Sequence, residues 1–249
     1  MRAHSLLFAL LLTVAASPSA LRAQQEGPLP VGEMVRSEVA RDSVMFSFER
    51  PGLPVPKFLL ALWETGEGHY GGEEVPAGAP SSDPPPTPQP FGMTIFSVSP
   101  ATAKKVFTLA HDLKQFNFPC ESKAKNVADT GKKTLTYNGV DATSSCTYNY
   151  SENKNVQALT EIFQGIAETM NEGRKLDYLH RYDRLGLDAE IAYLAQEVTA
   201  GRALELGAIT ESLRSIAADA QVMQRVRTRA NSLLAHLPEG SAPAVPTQN

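Results

Sequence analysis

The densest chemistry-bearing run of the chain is Glu172 to Arg184, where His180 stands three residues after Asp177 and three before Asp183. On a helix those spacings bring all three side chains toward one face. Two carboxylates there could orient an imidazole for general-base work, or join it as metal ligands. The same run also reads as a solvated helix face laced with ion pairs, each worth only a few tenths of a kcal/mol. The sequence places no serine or cysteine nucleophile beside it. A secreted hydrolase built around Asp177, His180 and Asp183 is therefore the alternative reading and not the leading one.

A second group is Trp63, His69 and Tyr70, set around the turn signal Thr65-Gly66-Glu67-Gly68. Aromatic and imidazole side chains beside a glycine turn fit a recognition tip. The glycines at 66, 68, 71 and 72 lack the Lys-Ser/Thr ending and the strand-to-helix context of a phosphate loop. The dinucleotide fingerprint, the HExxH zinc motif, the serine elbow and the calcium loop are absent too. No cofactor and no metal is expected from these patterns, and catalytic residues stay unassigned.

Cys120 and Cys146 are the only cysteines. A zinc site needs further ligands at recognisable spacing, and the histidines do not cluster around either cysteine. The pair is expected to form a disulfide, provided the compartment is oxidising. The first residues point to that compartment. Met1 to His4 is a short basic start, Leu6 to Ala16 is almost wholly apolar, and Ala20-Leu21-Arg22-Ala23 ends in small residues. That order predicts a secretory signal peptide over residues 1–23, and hence a secreted or periplasmic protein.

The full chain has a formal charge of -4, from 23 basic and 27 acidic residues. Cleavage after Ala23 would remove Arg2 and Arg22 and make the mature chain more acidic. An acidic exported chain has little electrostatic reason to bind nucleic acid or an anionic bilayer. After the leader, no apolar run is long enough for an integral membrane span.

Behind these residues the chain changes period. Residues 24–150 carry the strand signals: Val44, Phe46 and Phe48 alternate with polar partners, Phe58 to Trp63 reads as a buried strand, and Phe91 to Val98 as another. Thr134 to Tyr137 alternates up to Asn138-Gly139, a strong hairpin turn. It returns through Val140 to Ala142 or through Cys146 to Tyr150. A proline-rich loop occupies 76–90. Ser99-Pro100 predicts the start of a single intermediate helix running to about Gln115. From Ser151 to residue 237 the spacing is helical. One stripe holds Val156, Leu159, Phe163, Ile166 and Met170, and a last helix from Ile209 carries Leu213, Ile216, Ala220, Met223, Ala230 and Leu234. On that reading Arg225, Arg227 and Arg229 lie late in the last helix, and residues 238–249 form a disordered tail. Segregated strands and helices predict an α+β fold, a small antiparallel sheet packed with an intermediate helix and followed by a C-terminal helical region.

The stretches LLALWETGEGHYGG at Leu59 to Gly72 and KTLTYNG at Lys133 to Gly139 resemble uncharacterised secreted bacterial domain proteins. The resemblance implies an exported domain and brings no site residue with it. Together these readings favour a non-enzymatic binding or assembly module of the cell envelope or extracellular space, with a protein or envelope partner. A homodimer formed through a helical stripe, and a structural or inhibitory role, are the further expectations.

Overall fold

In the computed structural model, residues 41–76, 86–140 and 143–237 are described, all within the unit that begins at Ala40. The predicted leader 1–23, residues 24–40, most of the proline-rich loop, most of the alternative return Val140 to Ala142 and the tail 238–249 lie outside them. Six strands form one antiparallel sheet: β1 (Ser43–Glu49), β2 (Lys57–Trp63), β3 (Glu67–Glu74), β4 (Gln89–Ser97), β5 (Lys132–Asn138) and β6 (Thr143–Tyr148). The spatial order is β4-β3-β2-β1-β5-β6, so the first four strands meander and β5 docks on the free side of β1.

Alternation decides which face is buried. Val44, Phe46, Leu60, Leu62, Tyr70 and Leu135 are fully enclosed on the inner face. The registers Val44↔Leu62 and Val44↔Tyr137 place these inward positions in rows across the strands. Tyr70 and Leu60 are cross-strand partners, and β3 runs on through Gly71-Gly72 to Glu74. Gly72 has to be glycine, because a Cβ would lie 2.4 Å from the Lys57 carbonyl oxygen.

Two helices close the inner face. α1 (Pro100–Asp112) has Ser99 as its N-cap, whose Oγ accepts from Thr102 N at 3.3 Å. Glu205 completes the cap: its carboxylate accepts from Ser99 N at 2.7 Å, from Ser99 Oγ at 2.8 Å and from the Thr102 hydroxyl. A negative charge at a helix N-terminus is favourable, and this one ties the middle of the C-terminal helical region to the start of α1. α1 stops short of the expected Gln115. Lys114, Gln115 and Phe116 all take left-handed backbone angles, a reversal that drives Phe116 into the core. The disulfide between Cys120 and Cys146 then anchors the following loop to β6, with the Cα atoms 5.6 Å apart.

α2 (Lys154–Tyr182) begins where Asn153 Oδ1 accepts from Asn155 N at 2.9 Å and from Val156 N at 3.4 Å. Its apolar side lies on the sheet, with Phe163 stacked on Phe46 at 5.4 Å. The helix runs through Gly173 without a pause. A Cβ there would sit 2.3 Å from Ile209 Cγ2, so the missing side chain is what lets the chain before α4 lie against α2. Thr169 Oγ1 donates to the Leu204 carbonyl at 2.6 Å along the same seam.

Behind α2 lie α3 (Leu187–Thr199), α4 (Thr210–Ala218) and α5 (Gln224–Ala235). The single last helix expected from Ile209 is thus two helices. Asp219 breaks it by accepting from Gln221 N at 2.8 Å, an Asx turn that competes with helix continuation. Arg225, Arg227 and Arg229 consequently sit in the first half of α5. Arg225 and Arg229 both bond Asp188 of α3, at 2.8 and 2.7 Å. The stripe residues Leu159, Ile166, Leu176, Leu213 and Ile216 are fully buried within the chain itself. Among the described residues no helix is long and apolar enough to cross a membrane.

A candidate recognition surface

The opposite face of the sheet is open, with no described helix laid across it. Cross-strand pairing builds it from rows. One row runs Ile95, His69, Ala61, Met45, Thr136, Ser145. The next runs Gly71, Leu59, Ser47, Thr134, Thr147, with Met93 folded over Gly71 at the β4 end. Ile95 is 68% exposed and Met93 49%, the two largest apolar exposures on the sheet. Trp63 meets His69 edge-on on this face, ring centroids 4.6 Å apart.

The face therefore has two halves. Over β2 to β4 it is bulky and mostly apolar: Leu59, Trp63, Met93 and Ile95 surround the His69 imidazole. Over β1, β5 and β6 it is mostly small and hydroxylated, with Ser47, Thr134, Thr136, Ser145 and Thr147 around a single methionine, Met45. At the Glu49 end a charged row, Glu73, Lys57, Glu49, Lys132, alternates in sign from β3 to β5. Lys57 Nζ lies 3.8 Å from Glu73 Oε1. Beside this row opens a groove of about 690 Å³ walled by Pro51, Pro54, Pro56, Pro86 and Pro88.

Of the three residues grouped by the glycine turn, Trp63 and His69 share the open face and Tyr70 does not. Tyr70 is fully buried on the inner face, where its hydroxyl donates to Asn171 Oδ1 at 2.7 Å. Burial pushes its phenol well above the usual range. Arg174, one turn along α2, lies 3.5 Å over the Phe91 ring and 2.5 Å from Glu74 Oε2, bracing the apolar half of the sheet from behind. His69 Nε2 is enclosed; Glu67 Oε1 is 3.4 Å away but not aligned for a hydrogen bond.

The polar run at the end of α2 is arranged differently from the expected trio. His180 Nε2 lies 2.9 Å from Asp219 Oδ2, with Arg184 3.3 Å from the same oxygen. The backbone N–H of Gln221 and the His180 ring hold the Asp219 carboxyl below its usual range. Asp183 ends the helix and accepts from Gly186 N at 3.2 Å, and Asp177 is exposed. The imidazole so gains a carboxylate orienter. Among the described residues no hydroxyl or thiol is hydrogen-bonded to its ring for it to activate. Nor does any group of three or more His, Cys, Asp or Glu among those residues form a metal-binding cluster.

Two charged groups escaped the sequence reading. Lys133 is buried at the inner end of β5 and donates to the carbonyls of Asn149, Gly131 and Thr130 at 2.8, 3.0 and 3.1 Å, and to Thr130 Oγ1 at 2.9 Å. Burial lowers its pKa, against the pull of Asp129. It floors a cleft of about 400 Å³ with Tyr148, Gln157, Glu161 and Gln164. Four acceptors exceed the three protons of an ammonium, so the group is saturated and works as a clasp between the loop before β5 and the end of β6. The parity of Lys-Lys-Thr-Leu-Thr-Tyr put Lys133 inward with Leu135 and Tyr137, a signal that was available.

Glu172 is the other. It is enclosed between α2 and α3 and lies 2.6 Å from Lys175 Nζ, with Glu190 also facing it. Burial first, then the Glu190 carboxyl, pushes the Glu172 carboxyl up to about 8. Burial works to lower Lys175, and the two glutamates more than offset it. The two partners thus pull opposite ways on the shared charge. The lysine is 51% exposed and the glutamate 1%, so enclosure decides the carboxyl's direction.

No protein-family model matches this chain, and no curated protein matches it in sequence.

Proposed function

We propose that the chain is an exported, disulfide-stapled binding or assembly module, and that it engages a protein or cell-envelope partner through the open face of its sheet. The observation that carries this reading is the pair Ile95 and Met93, exposed at 68% and 49% beside Trp63 and Leu59. Apolar side chains contiguous on one face mark interaction sites far more often than scattered ones do. The leader-like start, the disulfide and the resemblance to secreted bacterial domains support the exported setting.

A matched pair of substitutions tests the reading. Ile95→Lys introduces a charge on the edge strand β4, at the most exposed apolar side chain of the face. Leu185→Lys introduces the same charge in the connection between α2 and α3, where the leucine is 80% exposed. Ile95→Lys is expected to abolish co-sedimentation of the mature protein with envelopes from the cells that export it, at unchanged melting temperature, while Leu185→Lys binds as the parent does. Equal retention by the two variants would overturn it.

A further inference from the structure

We propose that the open face binds a second copy of the same chain, about a two-fold axis that lies between the two facing sheets, runs close to the strand direction and passes between β1 and β2. The inference rests on the open face being the interaction surface, and adds which partner it takes. A two-fold interface must be self-complementary. Reversing the strand order β4-β3-β2-β1-β5-β6 about its midpoint sets β2 against the partner copy's β1, β3 against its β5 and β4 against its β6.

Two independent features of the face are antisymmetric under that reversal. The charges Glu73, Lys57, Glu49 and Lys132 read minus, plus, minus, plus from β3 to β5. Turned about the axis, each carboxylate meets an ammonium: Lys57 faces Glu49 of the other copy, and Glu73 faces its Lys132. Side-chain size is antisymmetric as well. Met93, Ile95, His69, Leu59 and Trp63 occupy one half and serines and threonines most of the other, while the one inverted pair, Ala61 and Met45, is itself exchanged by the axis, so that each Met45 faces the other copy's Ala61. Large against small is the pattern that lets facing layers interdigitate.

The extent is adequate. Six strands about 4.8 Å apart and seven residues long at about 3.4 Å each give a flat face of roughly 600 Å² per copy. Relief from the side chains brings this toward the roughly 800 Å² per partner of a standard interface. The helical stripes, by contrast, are filled within the chain; the large apolar side chains that the helical region leaves most exposed, Tyr178, Tyr182 and Leu185, cluster at the end of α2 and carry no matching charge row.

Charge reversal by mixing tests the geometry. In sedimentation equilibrium of the mature, disulfide-bonded protein, the parent is expected to be a dimer. Lys57→Glu alone sets Glu against Glu49 at both symmetric positions, and Glu49→Lys alone sets Lys against Lys57. Each is expected to weaken self-association by about a hundredfold or more in Kd. Mixed in equal amounts the two variants restore a heterodimer, because every facing pair is then opposite in sign. Trp63, the single tryptophan, reports the same events through its emission. Circular dichroism verifies folding, and if either charge variant fails to fold, Ile95→Lys takes its place as the dissociating substitution. A parent that is monomeric at every concentration, single variants that dimerise like the parent, or a mixture that stays monomeric would each overturn the proposal. A monomeric parent whose envelope binding is still lost in Ile95→Lys would overturn self-pairing and leave the open-face reading standing.

Discussion

Replacing Cys120 and Cys146 together by alanine is expected to lower the melting temperature of the mature protein by about 10 °C. The bond closes a loop of sequence separation 26. On the loop-entropy account, such a link removes roughly 3 to 4 kcal/mol of freedom from the unfolded chain. The native chain in that loop has little else to hold it. Between Phe116 and β5 there is no helix or strand, and the segment is tied by a few bonds, such as Ser122 N to the Tyr150 carbonyl at 2.8 Å and Asn149 N to Glu121 Oε2 at 2.6 Å. Both cysteines are buried, so the paired substitution also leaves a small void beside β6. Thermal melts of the parent and the double variant, both under non-reducing conditions, measure the effect. A drop of less than about 2 °C would mean that the loop is held by its side chains and not by the bond.

A second large effect concerns pH. The carboxyl of Glu172 titrates near 8 in the folded chain, against 4.5 for the ordinary group, because it is enclosed and faces Glu190. The folded state therefore holds this proton more tightly than the unfolded state does. The stabilisation is complete below about pH 4.5 and is lost as pH rises through about 8. Between pH 5 and pH 9 this linkage is expected to remove on the order of 3 kcal/mol. Asp188, Glu197 and Asp219, whose carboxyls are held low by arginine partners or by hydrogen bonds, act in the opposite sense only at more acid pH. Glu172→Gln keeps the shape and removes the titration. Denaturant unfolding across pH 5 to 9 is expected to show a falling curve for the parent and a nearly flat one for the variant, with the variant the more stable at pH 9. Parallel curves would place the ionised Glu172–Lys175 pair in the folded state throughout.

The α+β segregation was legible in the sequence because each half keeps one hydrophobic period. β1, β2 and the start of α1 were read directly from alternation and from Ser99-Pro100. The errors have local causes. The end of α1 depends on Lys114, Gln115 and Phe116 in left-handed conformations, and nothing about those residue types announces them. The break between α4 and α5 has no glycine or proline, and only the Asx turn at Asp219 marks it. Grouping His69 and Tyr70 by the glycine turn they follow hid the fact that neighbours on a strand must face opposite ways. Once β3 is extended to Glu74, period two sends His69 outward with Trp63 and Tyr70 into the core. The open face itself was only half legible. Alternation gives Met93 and Ile95 a common side, but which side the helices leave uncovered is a tertiary fact. His180 was drawn to Asp219, far along the chain, for the same reason.

The central claim is that contact with a partner runs through the open sheet face. A photo-crosslinking residue at position 95, compared with the same residue at position 185, measures this in intact exporting cells. The account predicts adducts from position 95, including a band at twice the mass of the mature chain, and none from position 185. Adducts from 185 alone would contradict it.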